Sequence, residues 1–151
     1  MSVLQRLEDA GIKLPAPNAP VANYVPFVMT GKLLFISGQI SNGTAGVVRG
    51  RVGETLSLEE GQAAARLCAI NLLAQTQAAL GDLERVRRVV KLAGFVSAAP
   101  DFVDIPKVVN GCSDVMVLAF GDRGRHARSA VACPVLPMGA AVEVDAVIEF
   151  E

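Results

Sequence analysis

At 151 residues the chain is long enough for one domain with a real core and too short for two. Its 14 basic and 15 acidic side chains nearly cancel, a poor match for a nucleic-acid binder, whose affinity comes mainly from neutralising phosphates. Hydrophobic residues make up 52% and mean hydropathy is +0.43, yet no apolar run approaches the length of a membrane span. The surplus apolar surface therefore predicts a subunit interface rather than contact with lipid. The start, "MSVLQRLEDAGIK", lacks the basic, apolar, small-residue order of a secretion signal. Cys68, Cys112 and Cys133 are an odd number without close spacing, so the expectation is a reducing cytoplasm and no disulfide framework.

Residues 1–20 read as a short helix (Val3, Leu4, Leu7) followed by the extended "LPAPNAP", an extension wrapped on a domain spanning 21–151. "NYVPFVMTGKLLFISGQIS" predicts two strands hinged at Thr30-Gly31, and "NGTAGVVRGRVGE" (Asn42 to Glu54) a glycine-rich loop. The clearest helix begins at Ser57, where "SLEE" forms a capping box with Glu60. Ala65, Ala69, Leu72, Leu73, Thr76 and Leu80 keep the helical period, and Gly81 supplies the stop. A strand at about 86–97 follows. The next helix is capped by Asp104, carries Pro106 in its first turn, and buries Ile105, Val108, Val109, Cys112, Val115, Met116 and Ala119. Asn110 falls off that stripe. Two alternating runs, opened by Arg128 and carrying Glu143 and Asp145, close the chain, joined through Pro134 and Pro137.

The predicted order is β-β-α-β-α-β-β, an α+β class. Two amphipathic helices cover only one face of a four- or five-stranded sheet. The strand around residue 90 is nevertheless apolar at both parities, with Val90, Leu92 and Val96 on one and Val89, Ala93 and Phe95 on the other. A second copy of the chain is the simplest cover for the remaining face.

The chemistry available is narrow. His126 is the lone histidine, without a companion at metal-ligand spacing, and reads as a surface residue. No GxSxG, GxGxxG or Walker A pattern occurs, and the cysteines fall inside apolar patterns where thiols are inert. No metal or cofactor is indicated. Arg128, Glu143, Asp145, Tyr24 and Asn110 remain as candidates. Arginine is a rigid, permanently charged fork suited to a carboxylate. A hairpin joining the last two strands would place Arg128 near Glu143, fifteen residues on, either as a functional pair or as a structural tie between strands.

"ARSAVACPVLPMGAAVEVDAVIEF" (Ala127 to Phe150) resembles the C-terminal signature of the YjgF/RidA family, the reactive-intermediate deaminases: an Arg-Ser strand start, Leu-Pro, then Val-Glu-Val-Asp-Ala. Tyr24, fourteen residues before Gly38 in "FISGQIS", resembles the family's other recognisable block, and Asn110 stands at its helix asparagine. The resemblance covers about residues 20–150. It implies a chorismate-mutase-like fold, a mixed sheet with two helices on one face. It also implies a homotrimer whose sheets form a central barrel, with three clefts between subunits. Members with the arginine hydrolyse enamines and imines to 2-oxo acids and ammonia without a cofactor.

Carried onto this chain, Arg128 would hold the substrate carboxylate and Glu143 would orient water or relay a proton. Tyr24 of a neighbouring subunit would line the cleft, and backbone near Ser37 and Gly38, with Asn110, would shape it. Ala130 stands where well-studied members often carry cysteine, and the N-terminal extension with the long 42–54 loop resembles a separate branch. The alternative is a non-catalytic trimer that binds a small carboxylate. The endoribonuclease label of some relatives fits less well, because aromatic residues are only 5% and single-strand binding needs stacking platforms on a cationic groove.

Overall fold

In the computed structural model, which covers residues 1–151, a capping box starts the longest helix as the sequence predicts. Ser57 Oγ accepts from the Glu60 N–H, and the Glu60 carboxylate accepts from the Ser57 N–H, both at 3.1 Å. The helix runs Leu58–Leu80 (α2) and ends at Gly81, whose φ of 79° is the left-handed stop that glycine adopts without strain. A second long helix, Ile105–Phe120 (α3), buries the predicted stripe from Ile105 to Ala119. Asp104 stands at its N-cap position, but the side chain makes no capping bond and lies 3.5 Å from Lys107 instead. A short helix, Val3–Asp9 (α1), precedes both and buries Val3 and Leu7 in the same core.

The strands are β1 (Phe27–Thr30), β2 (Leu33–Ile40), β3 (Asn42–Gly43), β4 (Gly46–Val47), β5 (Val86–Ser97), β6 (Ala127–Cys133) and β7 (Val142–Phe150). The segment read as a glycine-rich loop thus holds the small β3–β4 hairpin. The main sheet has the order β1-β2-β7-β5-β6, with β5 and β6 parallel and every other pair antiparallel. The result is a mixed α+β sheet with α2 and α3 on one face.

Two expectations need correction. The last two strands are not a hairpin, because β5 lies between β6 and β7. The crossover through α3 forces β6 parallel to β5, which leaves the other side of β5 for β7. Burial explains the assignment. Val142, Val144, Ala146 and Ile148 of β7 are all buried and suit the sheet centre, whereas Ala127, Ser129, Val131 and Ala132 of β6 stay exposed at its edge.

The parity of β5 also differs from strict alternation. Its ladder shifts register between Val86 and Arg88 and again between Val89 and Lys91. Each irregularity turns the strand by one residue, so Val86 and Val89 are buried on the helix side together with Leu92 and Val96. The opposite face still exposes apolar surface, including Val28, Phe35 and Val131. No helix of the chain is long and apolar enough to cross a membrane.

Candidate functional site

Between Ile36 and Gln39 the β2–β7 ladder slips: Ile36 faces Ala146 and Gln39 faces Val144, so Ser37 and Gly38 together oppose the single Asp145. Such a bulge re-aims the backbone. Here it sets Gly38 against the Glu143 side chain. Ser37 anchors the segment above: its Oγ donates to the Val25 carbonyl at 2.8 Å and its N–H to the Pro26 carbonyl at 2.9 Å. That segment, with Tyr24, Gly38, Glu143 and Met138, walls a cavity of about 610 Å³. Its far end is tied down by α2, where the buried Gln75 donates to the Asn18 carbonyl at 2.8 Å.

Burial pushes the Glu143 carboxyl above the ordinary carboxylate range, and the neighbouring Asp145 adds to the shift. Burial also raises Asp145, with Lys91 pulling the other way. A carboxyl moved in this direction keeps a proton nearer to neutral pH, the property required of a proton relay.

Arg128 lies elsewhere. It sits on β6 opposite Leu92, on the face covered by helices, and its guanidinium reaches across to α3. Nη1 donates to Asn110 Oδ1 and to Ser113 Oγ, each at 3.0 Å, and Nη2 donates to the Pro106 carbonyl at 3.1 Å. Three of the five N–H donors are thereby used, leaving two for an anion. Glu143 lies opposite Phe95, between the helix-facing Val142 and Val144, and so points to the other face. Two strand spacings and three residues of register separate the two backbones by about 14 Å.

The structure therefore divides the candidates. Tyr24, Ser37, Gly38 and Glu143 come together around one cavity. Arg128 and Asn110 form a second group at the sheet edge. The hairpin that would have joined Arg128 to Glu143 within one chain does not exist.

The model of the family described as "YjgF/chorismate_mutase-like, putative endoribonuclease" matches residues 4–150. The chain belongs to the YjgF/RidA family. The match takes in nearly all of the N-terminal extension. Over 150 residues the chain is 52% identical to Protein TCP17 of Trypanosoma cruzi, covering 98% of this chain and 94% of the relative. It is 33% identical over 135 residues to the RutC family protein y4sK of Sinorhizobium fredii, covering 89% and 92%. The crystal structure of Atu1372 from Agrobacterium tumefaciens, a protein described as of unknown function, superposes with a TM-score of 0.93. It is 45% identical, and the alignment covers 99% of this chain and 92% of that one.

Two residues around Arg128 were not among the sequence candidates. Ser113 is one helical turn beyond Asn110, an i, i+3 spacing that puts both on one face of α3 and was the available signal. His126, read as a surface residue, is part-buried and hydrogen-bonded through both ring nitrogens. Burial, then the charge of Arg128, lowers its pKa from 6.5, while the bond to Gly124 opposes the shift. Burial pushes the Cys112 thiol up to about 12 and raises Cys68 well above its ordinary value, so neither is a nucleophile at neutral pH. No group of three histidine, cysteine or acidic side chains converges as a metal site would require.

Proposed function

We propose that the protein hydrolyses enamine and imine intermediates to 2-oxo acids and ammonia in a site completed by a second copy of the chain. The single observation that carries this reading is the division just described. A cationic fork with two spare N–H donors lies on one face and edge, and a cavity walled by a carboxyl whose pKa is raised by burial lies on the other. Within one chain the two groups cannot grip one small molecule. The exposed apolar face with Val28, Phe35 and Val131 supplies a surface for copies to pack on, and a closed trimer would bring the Arg128 edge of one subunit to the Glu143 cavity of the next.

In that arrangement the two spare N–H groups of Arg128 hold the substrate carboxylate, and Asn110 fixes the guanidinium. Tyr24 and the Gly38 backbone wall the reacting end. Water adds to the imine carbon, forming a C–O bond. Glu143 takes a proton from that water and returns it to the nitrogen, giving a carbinolamine. Its remaining hydroxyl proton then passes through Glu143 to the amine as the C=O bond forms and the C–N bond breaks, releasing ammonia and the 2-oxo acid. The reaction needs no electron transfer, and an imine carbon is already electrophilic, so positioning and proton relay suffice.

The test follows ammonia from 2-aminoacrylate generated in place by a lyase, comparing wild type with Arg128→Ala at equal oligomer content. A faster wild-type rate supports hydrolysis, and equal rates overturn it. Calorimetric binding of a 2-oxo acid that depends on Arg128, without turnover of any imine, would assign the protein to carboxylate binding alone. The endoribonuclease name carried by the family fits less well here, since a net charge of −1 and 5% aromatic residues offer neither a cationic groove nor stacking platforms.

A further inference from the structure

His126 is the only histidine in the chain, and its hydrogen bonds determine which ring nitrogen carries the proton. Nδ1 lies 2.6 Å from the Gly124 carbonyl, which can only accept, so the hydrogen sits on Nδ1. The neutral ring then offers Nε2 as an acceptor, and Ser113 Oγ lies 2.9 Å from it. The single hydroxyl hydrogen of Ser113 is thereby committed to His126. Its oxygen lone pairs are turned the other way, where Arg128 Nη1 donates to them at 3.0 Å. The order of donation runs from Arg128 to Ser113 to His126 to the Gly124 backbone, without a free rotor in the path.

We propose that Ser113 and His126 are positioning residues that hold the Arg128 guanidinium in its carboxylate-binding orientation. An arginine on an exposed edge strand has four side-chain torsions to restrain, and Asn110 alone supplies one acceptor for that purpose. With Ser113 and the Pro106 carbonyl added, the outer two nitrogens are fixed from three directions. Binding then avoids much of the ordering cost a mobile arginine would incur. Ring neutrality is favoured independently, because burial and the Arg128 charge both oppose protonation of His126. The inference rests on the carboxylate-binding role of Arg128, yet part of its test needs no ligand.

The experiment uses the 15N-labelled full chain. In the ligand-free wild type, the nitrogen shifts of His126 should report the Nδ1–H tautomer, and the Arg128 guanidinium should give separate, slowly exchanging Nη signals. Ser113→Ala and His126→Phe should merge those signals by freeing rotation about the guanidinium. Ser113→Thr, which keeps the hydroxyl, should retain them. Titration with pyruvate should then show binding roughly tenfold weaker in Ser113→Ala, recovered in Ser113→Thr. Unchanged Arg128 signals in Ser113→Ala, or an Nε2–H tautomer in the wild type, would overturn the positioning role. Pyruvate affinity in Ser113→Ala equal to that of a binding wild type would overturn it as well. A wild type that binds no pyruvate removes the carboxylate reading instead, and the ligand-free spectra still decide this one.

Discussion

Glu143 Cδ lies 2.9 Å from the point where a Cβ on Gly38 would stand, closer than real Cβ contacts come. The obstructing atoms belong to the end of a flexible side chain, so Gly38→Ala should displace the carboxyl rather than the fold. Stability is expected to change by less than about 1 kcal/mol in urea unfolding. Imine turnover should fall by on the order of a hundredfold, the scale of a misplaced acid–base group. Wild-type turnover in the Gly38→Ala variant would show that Glu143 does not need its observed position.

The acidic pair on β7 gives a pH dependence of known sign. Glu143 and Asp145 hold their protons to higher pH in the fold than at the ordinary values of 4.5 and 3.8. Their contribution to stability is therefore fully present below those values and is lost as pH rises through the raised folded values. Urea midpoints measured upward from pH 4.5 should decline less in Glu143→Gln than in the wild type. Parallel curves would place the neutralising interactions elsewhere.

Met138 is the only non-glycine residue with positive φ, at 59°, and it stands in the turn that leads into β7. A side chain in this region is sterically strained, and Met138 is exposed, so it has little packing to lose. Met138→Gly should raise stability by about 0.5 kcal/mol, read as a higher urea midpoint with unchanged slope. Because Met138 also walls the cavity with Tyr24, the same variant should relax discrimination against bulky 2-oxo acids.

Ser57→Ala removes the acceptor of the α2 capping box and should cost about 1 kcal/mol in thermal unfolding. Imine turnover per folded molecule should stay unchanged, since Ser57 lies outside both halves of the site. A loss of turnover without a loss of stability would contradict that separation.

The features that could be read from the chain are those governed by near neighbours. The Ser57–Glu60 box, the Gly81 stop, the stripe of α3 and the β5 limits each depend on residues a few positions apart, and each stands where local chemistry puts it. The meeting of Tyr24, Gly38 and Glu143 of one chain around a cavity is not such a feature, because these residues lie far apart in the sequence. The pairing of Arg128 with Glu143 failed because a spacing of fifteen residues does not say which strand comes between. The parity of Val89 failed because strict alternation along a strand does not anticipate the two register shifts in β5.

The long helices, the five main-sheet strands and their order along the chain, the apolar stripes and the first candidates for chemistry were legible in the residues alone, because helix period, caps and charge are local properties; the small β3–β4 hairpin was not. Only the tertiary structure decided that β5 separates β6 from β7, that Arg128 and Glu143 face opposite sides of the sheet, and that Ser113 and His126 stand behind the arginine. Strand order depends on long-range burial: β7, with Val142, Val144, Ala146 and Ile148 all buried, takes the centre and β6 is left at the edge. That competition is settled by the whole core at once and by no short stretch of residues.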